Sequence, residues 1–158
     1  MPTNSRATMK GRFIPNNPAK YVGNVNKIIF RSSWELHFFK WLDANDSVLR
    51  YGSEELSIPY VSPLDGRVHR YFPDLIILYK HKDGSIRKEI IEIKPYKETV
   101  PSPKMSERDK QVLAVNMAKW QAAGEFATMY GATFRVITER TLWSGTRKRK
   151  APELGRSV

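Results

Sequence analysis

Two apolar runs joined by a five-residue turn signal constrain this chain more than any other feature. Leu75-Ile76-Ile77-Leu78-Tyr79 precedes His81-Lys82-Asp83-Gly84-Ser85, and Ile90-Ile91-Glu92-Ile93 follows it. Short aliphatic runs that are apolar on both faces read as strands covered on both sides, and Asp-Gly between them reads as a hairpin turn. If Gly84 takes the left-handed position of a three-residue bulged loop, His81 pairs with Ser85 and the numbers of opposed residues total 166. On that register Asp74 lies opposite Glu92. A two-residue loop would shift the pairing by one. Residues two apart on a strand share a face, so Glu92 and Lys94 point together while Ile91 and Ile93 point the other way. The hairpin therefore predicts that Asp74, Glu92 and Lys94 converge on one patch at the centre of a sheet.

The elements around the hairpin follow from periodicity and punctuation. Trp34, Phe38, Trp41 and Leu42 recur at helical spacing and end near Asn45 and Asp46. Residues 48–61 read as one half-buried strand, in which Leu56, Ile58 and Tyr60 alternate with Glu55, Ser57 and Pro59, and Pro59 suits an edge. A second strand over residues 67–79 is expected at the sheet centre, and a third over 86–94 ends at Pro95. A long helix opens at Ser106, with Asp109 three residues on, and Gly131 stops it after Tyr130. A last strand covers 133–138. The order α, β, β, β, α, β predicts one mixed α/β domain over residues 31–143, with a mixed central sheet flanked by helices. Residues 1–30, with Gly11, Pro15, Pro18 and Gly23, are expected to form an extended basic arm with little regular structure, and residues 144–158 a basic tail.

Charge placement bears on the partner. The net charge is +11, yet residues 32–139 carry 15 basic and 15 acidic side chains, so the excess lies at the two ends. A neutral body with basic ends suits a polyanion, because lysine and arginine displace counterions condensed on phosphates. The same ends would also serve solubility or an acidic protein partner. Candidate DNA contacts are Lys20, Lys27, Arg31, Arg70, Lys119 on the second helix, and Arg147, Lys148, Arg149 and Lys150 in the tail. The longest apolar run, 75–79, falls far short of the roughly 18 residues that span a bilayer, so a cytosolic protein without membrane association is expected.

Two carboxylates about 4 Å apart repel by about 4 kcal/mol at an effective dielectric near ~20, and a divalent cation would relieve that. With no cysteine and three histidines, disulfides are impossible and the ligands must be oxygens, which select magnesium, or manganese in vitro. Lys94 would then position or stabilise an attacking hydroxide. The competing explanation is an ordinary same-face Glu–Lys pair worth a few tenths of a kcal/mol. Glu35 has two readings as well. Ser32 and Glu35 form a capping box, but Glu35 also shares the helix stripe of Phe38, Phe39 and Leu42, where an idle carboxylate would be costly.

Pro73-Asp74, seventeen residues, then Glu92-Ile93-Lys94 resembles the PD-(D/E)xK nuclease superfamily. The resemblance implies a restriction-endonuclease-like fold in which Asp74 and Glu92 bind magnesium and the Ile93 carbonyl completes the shell. It further implies that Lys94 aids the attacking water, with Glu35 acting from the first helix as a catalytic residue or further metal ligand. The stretches HRYFPDLIILY, IIEIKPYKE and KWQAAGEFATMYGATFRVITE, with most of residues 13–43, are similar to the head-completion nucleases of T-even-type tailed phages, relatives of the transposon endonuclease TnsA. That likeness implies a late assembly protein acting on packaged DNA in the host cytoplasm before the tail joins, in contact with portal or neck proteins and carried in the virion neck. A structural neck or connector protein with a vestigial site, and a resolvase of branched DNA, are the competing functions.

Overall fold

The computed structural model describes residues 8–142. Its centre is a four-stranded sheet in the order β3 (Val48–Ser53), β6 (Leu75–Lys80), β7 (Ile86–Ile93), β8 (Thr133–Ile137). The first three are antiparallel and β8 runs parallel to β7, so the sheet is mixed as expected. Helix α1 (Ser33–Ala44) and helix α2 (Glu107–Tyr130) complete an αβββαβ core.

The hairpin has the register derived from its turn. Leu75 faces Ile91 and Lys80 faces Ile86, so opposed numbers total 166. Gly84 sits at φ 87°, and the His81 and Ser85 backbones close the loop with an N–H···O bond of 2.8 Å. That left-handed turn costs glycine little and would strain other residues.

The two faces of the sheet bury different layers. Trp34, Phe38, Phe39 and Leu42 of α1 pack with Leu75, Ile77, Ile91 and Ile93. On the other side Ala123 of α2 meets Ile58, Tyr60 and Tyr71. Both helix starts are capped as their sequences suggest: Ser32 accepts from the Glu35 N–H, and Ser106 from the Asp109 N–H. Gly131, at φ 74°, closes α2.

Three sequence expectations need correction. Residues 48–61 are not one strand: β3 ends at Ser53, Glu54 takes a left-handed φ of 55°, and the chain resumes as β4 (Ile58–Val61). Residues 67–79 divide likewise into β5 (Val68–Tyr71) and β6, with Pro73, which has no N–H for a ladder, in the break. β4 and β5 pair as a separate ribbon, which lets Ile58, Tyr60 and Tyr71 bury against α2 while Pro59 stays on the exposed side.

The third correction concerns the expected N-terminal arm, which is folded from residue 8. β1 (Thr8–Arg12) pairs antiparallel with β2 (Ile29–Ser32), and short 3-10 turns cover Pro18–Lys20 and Val25–Lys27. Phe13, Tyr21, Ile28 and Phe30 are buried, and Phe13 stacks on Phe39 of α1 at 5.5 Å between centroids. Each such side chain stabilises by about 1.5–3 kcal/mol on burial, enough to hold a segment rich in loop-forming residues. The buried Asp43 fastens it further, accepting from the backbone N–H groups of Asn16 (2.9 Å) and Asn17. The tail over 144–158, with Arg147, Lys148, Arg149 and Lys150, lies outside the described residues. Among those described, no helix is long and apolar enough to cross a membrane.

Candidate active site

Asp74 stands at the entrance to β6, just past Pro73 and one step beyond the last paired residue, Leu75. Its side chain continues the pairing that the backbone leaves off: Oδ2 accepts the Ile93 N–H at 2.8 Å. Glu92, on β7, is buried, and its Oε1 accepts the Tyr71 hydroxyl proton at 3.1 Å. The Asp74 and Glu92 carboxyls are close neighbours, each acting on the other's protonation. The expected convergence is therefore present, with Asp74 arriving from the strand end.

Two neighbouring acids largely withdrawn from water cannot both ionise at ordinary cost. Burial, followed by the charge of Glu92, pushes the Asp74 carboxyl well up, and burial pushes Glu92 up. Glu92 is partly held down by the adjoining Asp74 carboxyl, by the positive charges of Lys94 and Lys119 and by the hydrogen bond from Tyr71. Burial and the neighbouring acids push the Tyr71 phenol up, so it keeps its proton and remains a donor.

Lys94 is half-buried beyond the end of β7, its backbone N–H bonded to the Ile137 carbonyl at 2.9 Å, and its charge acts on both acids. Lys119 reaches in from α2, with Nζ 5.8 Å and 5.7 Å from the ring centroids of Tyr60 and Tyr71. From there its charge acts on Glu92.

The two readings of Glu35 coexist. Its N–H donates to Ser32 Oγ and the Ser32 hydroxyl donates to its Oε2, both at 3.2 Å. The cap holds the carboxyl at the start of α1, where burial and then the charge of Asp74 push it up. Among the described residues no three His, Cys, Asp or Glu side chains gather as one metal-binding group.

The basic candidates divide. Arg31 is exposed and ion-paired to Glu54 at 2.7 Å, with Glu35 and Asp74 within electrostatic reach. Arg70 donates to Ser57 Oγ at 3.0 Å on the ribbon, and Lys27 is exposed at the end of its 3-10 turn. Lys20 is a correction. Its ammonium donates to the carbonyls of Leu42, Asp43 and Asn45 at 2.7–2.9 Å, and so caps the end of α1 with all three protons. No donor is left for a phosphate.

Sequence reasoning missed Tyr71 and Glu54. Tyr71 meets Glu92 only because the ribbon folds over the sheet, and Glu54 meets Arg31 across 23 residues. Neither has a local signal, apart from the failure of alternation around residue 54.

The mixed central sheet flanked by helices in αβββαβ order is a restriction-endonuclease-like architecture, and comparison with known proteins agrees. The family model for the TnsA-like endonuclease N-terminal domain matches residues 45–139, a span holding Asp74, Glu92, Lys94 and Lys119. The chain belongs to that endonuclease family and is a nuclease. It is also 39% identical over 139 residues to the head completion nuclease of Enterobacteria phage T4, covering 82% of this chain and 90% of that relative. No solved structure gives a significant match.

Proposed function

We propose that this protein is a magnesium-dependent DNA endonuclease that acts in phage head completion, with Asp74, Glu92, Lys94 and Glu35 as its catalytic residues. The observation that carries the reading is the pair of neighbouring carboxyls, Asp74 and Glu92, at the ends of β6 and β7, each fixed by its own hydrogen bond, from the Ile93 N–H and from the Tyr71 hydroxyl. Two neighbouring acids, with the charges of Lys94 and Lys119 acting on Glu92, form an all-oxygen donor set, which fits a small hard cation. Asp74 and Glu92 would hold it, with the Ile93 carbonyl and solvent filling the shell. Such an ion supplies charge stabilisation for a phosphodiester and lowers the pKa of bound water.

The chain's own groups do the rest. The Ile93 N–H fixes Asp74 and the Tyr71 hydroxyl fixes Glu92, so neither acid must reorganise when substrate arrives. Lys94 orients the attacking water and balances the charge that builds on the phosphate. Lys119, held over the rings of Tyr60 and Tyr71, neutralises a neighbouring phosphate oxygen. Glu35, with its carboxyl held up by burial, takes or returns a proton at the rim. Lys27, Arg31 and Arg70, with the tail's Arg147, Lys148, Arg149 and Lys150, add sequence-independent affinity for DNA.

The likeness to a head completion nuclease supports a role on packaged DNA in the host cytoplasm before tail joining, and we infer portal or neck proteins as its partners. The intact acid pair, its fixing hydrogen bonds and Lys94 speak against a connector whose site has decayed. Incubating supercoiled plasmid with the parent protein, Lys94→Ala and Asp74→Asn tests the reading. Magnesium-dependent nicking by the parent alone is expected; equal nicking by all three would mark a contaminant and overturn the assignment. Nicking by the parent should fall steeply between low and moderate salt.

A further inference from the structure

Arg31 and Glu54 make a contact that neither the fold nor the acid pair requires. The guanidinium and carboxylate meet at 2.7 Å with side chains 51% and 38% exposed, and exposed pairs of this kind contribute little to stability. Glu54 is also the one non-glycine residue with a positive φ among those described, a backbone state that L-residues adopt at a cost. A strained residue making a weak surface contact is poorly explained by stability alone.

Its location suggests another reason. The Glu54 N–H donates to the carbonyl of Asp74 at 3.2 Å, so this turn is tied to the acid pair's own backbone. Arg31 immediately precedes Ser32, the cap that holds Glu35, and its charge is felt by both Glu35 and Asp74. The guanidinium thus stands near the site, with its Nη1 on one oxygen of a carboxylate, the kind of acceptor a phosphate oxygen also offers.

We propose that Arg31 binds a backbone phosphate of the DNA seated at the acid pair, and that Glu54 is its placeholder, displaced when that phosphate arrives. The inference rests on the nuclease reading and adds the residue that receives the substrate's charge and the one that keeps it aligned. Glu54 holds the fork in its binding orientation and weakens capture of any DNA that does not reach the rim. Binding then exchanges one charge-assisted contact for another rather than forming one anew.

The test is a double-mutant cycle on the full-length protein, read as the dissociation constant for a short fluorescein-labelled duplex in EDTA, where cleavage cannot occur. Arg31→Gln should weaken binding roughly tenfold and Glu54→Gln should tighten it by up to about tenfold, the scale of one charge-assisted hydrogen bond gained or lost. The double variant should match Arg31→Gln alone, because without Arg31 there is nothing for Glu54 to withhold. Arg31→Lys, which keeps the charge and loses the planar fork, should fall between parent and Arg31→Gln and gives a second reading should Arg31→Gln fold poorly. Equal tightening by Glu54→Gln in both backgrounds would reduce its effect to the loss of one negative charge and overturn the proposal. Weakened binding in Glu54→Gln would overturn it too, marking the pair as a structural clamp. Failure of the parent to bind DNA would instead overturn the nuclease reading beneath it.

Discussion

Glu89 and Glu92 stand three residues apart on β7, both buried, and the fold treats them in opposite ways. Glu89 is fully enclosed beside Arg135 of β8, itself 2% exposed, with Oε1 and Nε 3.5 Å apart. Its charge is balanced inside the chain by a group that is always protonated. Glu92, on the other face of the strand, meets a second carboxyl and a phenol, and its cations, Lys94 and Lys119, act from the flanks. One acid is completed by the protein and serves structure. The other, on the proposed reading, takes up a cation together with Asp74.

The sharpest way to break this contrast is to remove each acid in turn. Glu92→Ala should lower plasmid cleavage on the order of 10³-fold, since metal-assisted charge stabilisation is worth several kcal/mol, while leaving the protein folded. Glu89→Ala should instead destabilise by about 3–5 kcal/mol in urea unfolding, because Arg135 stays buried without this carboxylate. Equal loss of stability in the two variants would erase the distinction.

The pH dependence of stability separates them next. Asp74, Glu92 and Glu35 are pushed up in the folded state, so the folded protein binds more protons than the unfolded chain above the ordinary carboxylate pKa of about 4. Their contribution is favourable at low pH and is lost as pH rises through the raised values. Thermal melts in EDTA should therefore show stability falling from mildly acidic to neutral pH by more in the parent than in Glu92→Gln. Magnesium should recover the loss in the parent alone.

Smaller effects test the corrected roles. Lys20→Ala removes the carbonyl cap of α1 and should cost about 1–2 kcal/mol in stability with no change in DNA affinity. A clear loss of affinity would return Lys20 to the DNA contacts. Ser32→Ala should cost about 1 kcal/mol in a urea melt and slow cleavage modestly, because the cap also holds the Glu35 carboxyl.

The centre of the site was readable in the sequence because a hairpin's register is arithmetic: once the Lys82-Asp83-Gly84 loop is recognised, the partner of Glu92 follows. Both helix caps were readable for the same local reason, a serine three residues before an acid. What was misread depends on distant packing. The break at Glu54 carries neither glycine nor proline, and the β4–β5 ribbon leaves the sheet only because α2 offers Ile58, Tyr60 and Tyr71 a place to bury. The N-terminal segment looks like an arm because prolines and asparagines separate Phe13, Tyr21, Ile28 and Phe30 irregularly, and only α1 and the sheet turn them into core. Tyr71 was invisible as a partner of Glu92 until that ribbon was in place.

The central claim is that the Asp74–Glu92 pair is built to take up a cation, and calorimetric titration with manganese at neutral pH tests it most directly. The parent should bind manganese with a measurable heat that Glu92→Gln abolishes while its melting temperature in EDTA is kept or raised. Undiminished manganese binding in a folded Glu92→Gln would contradict the account.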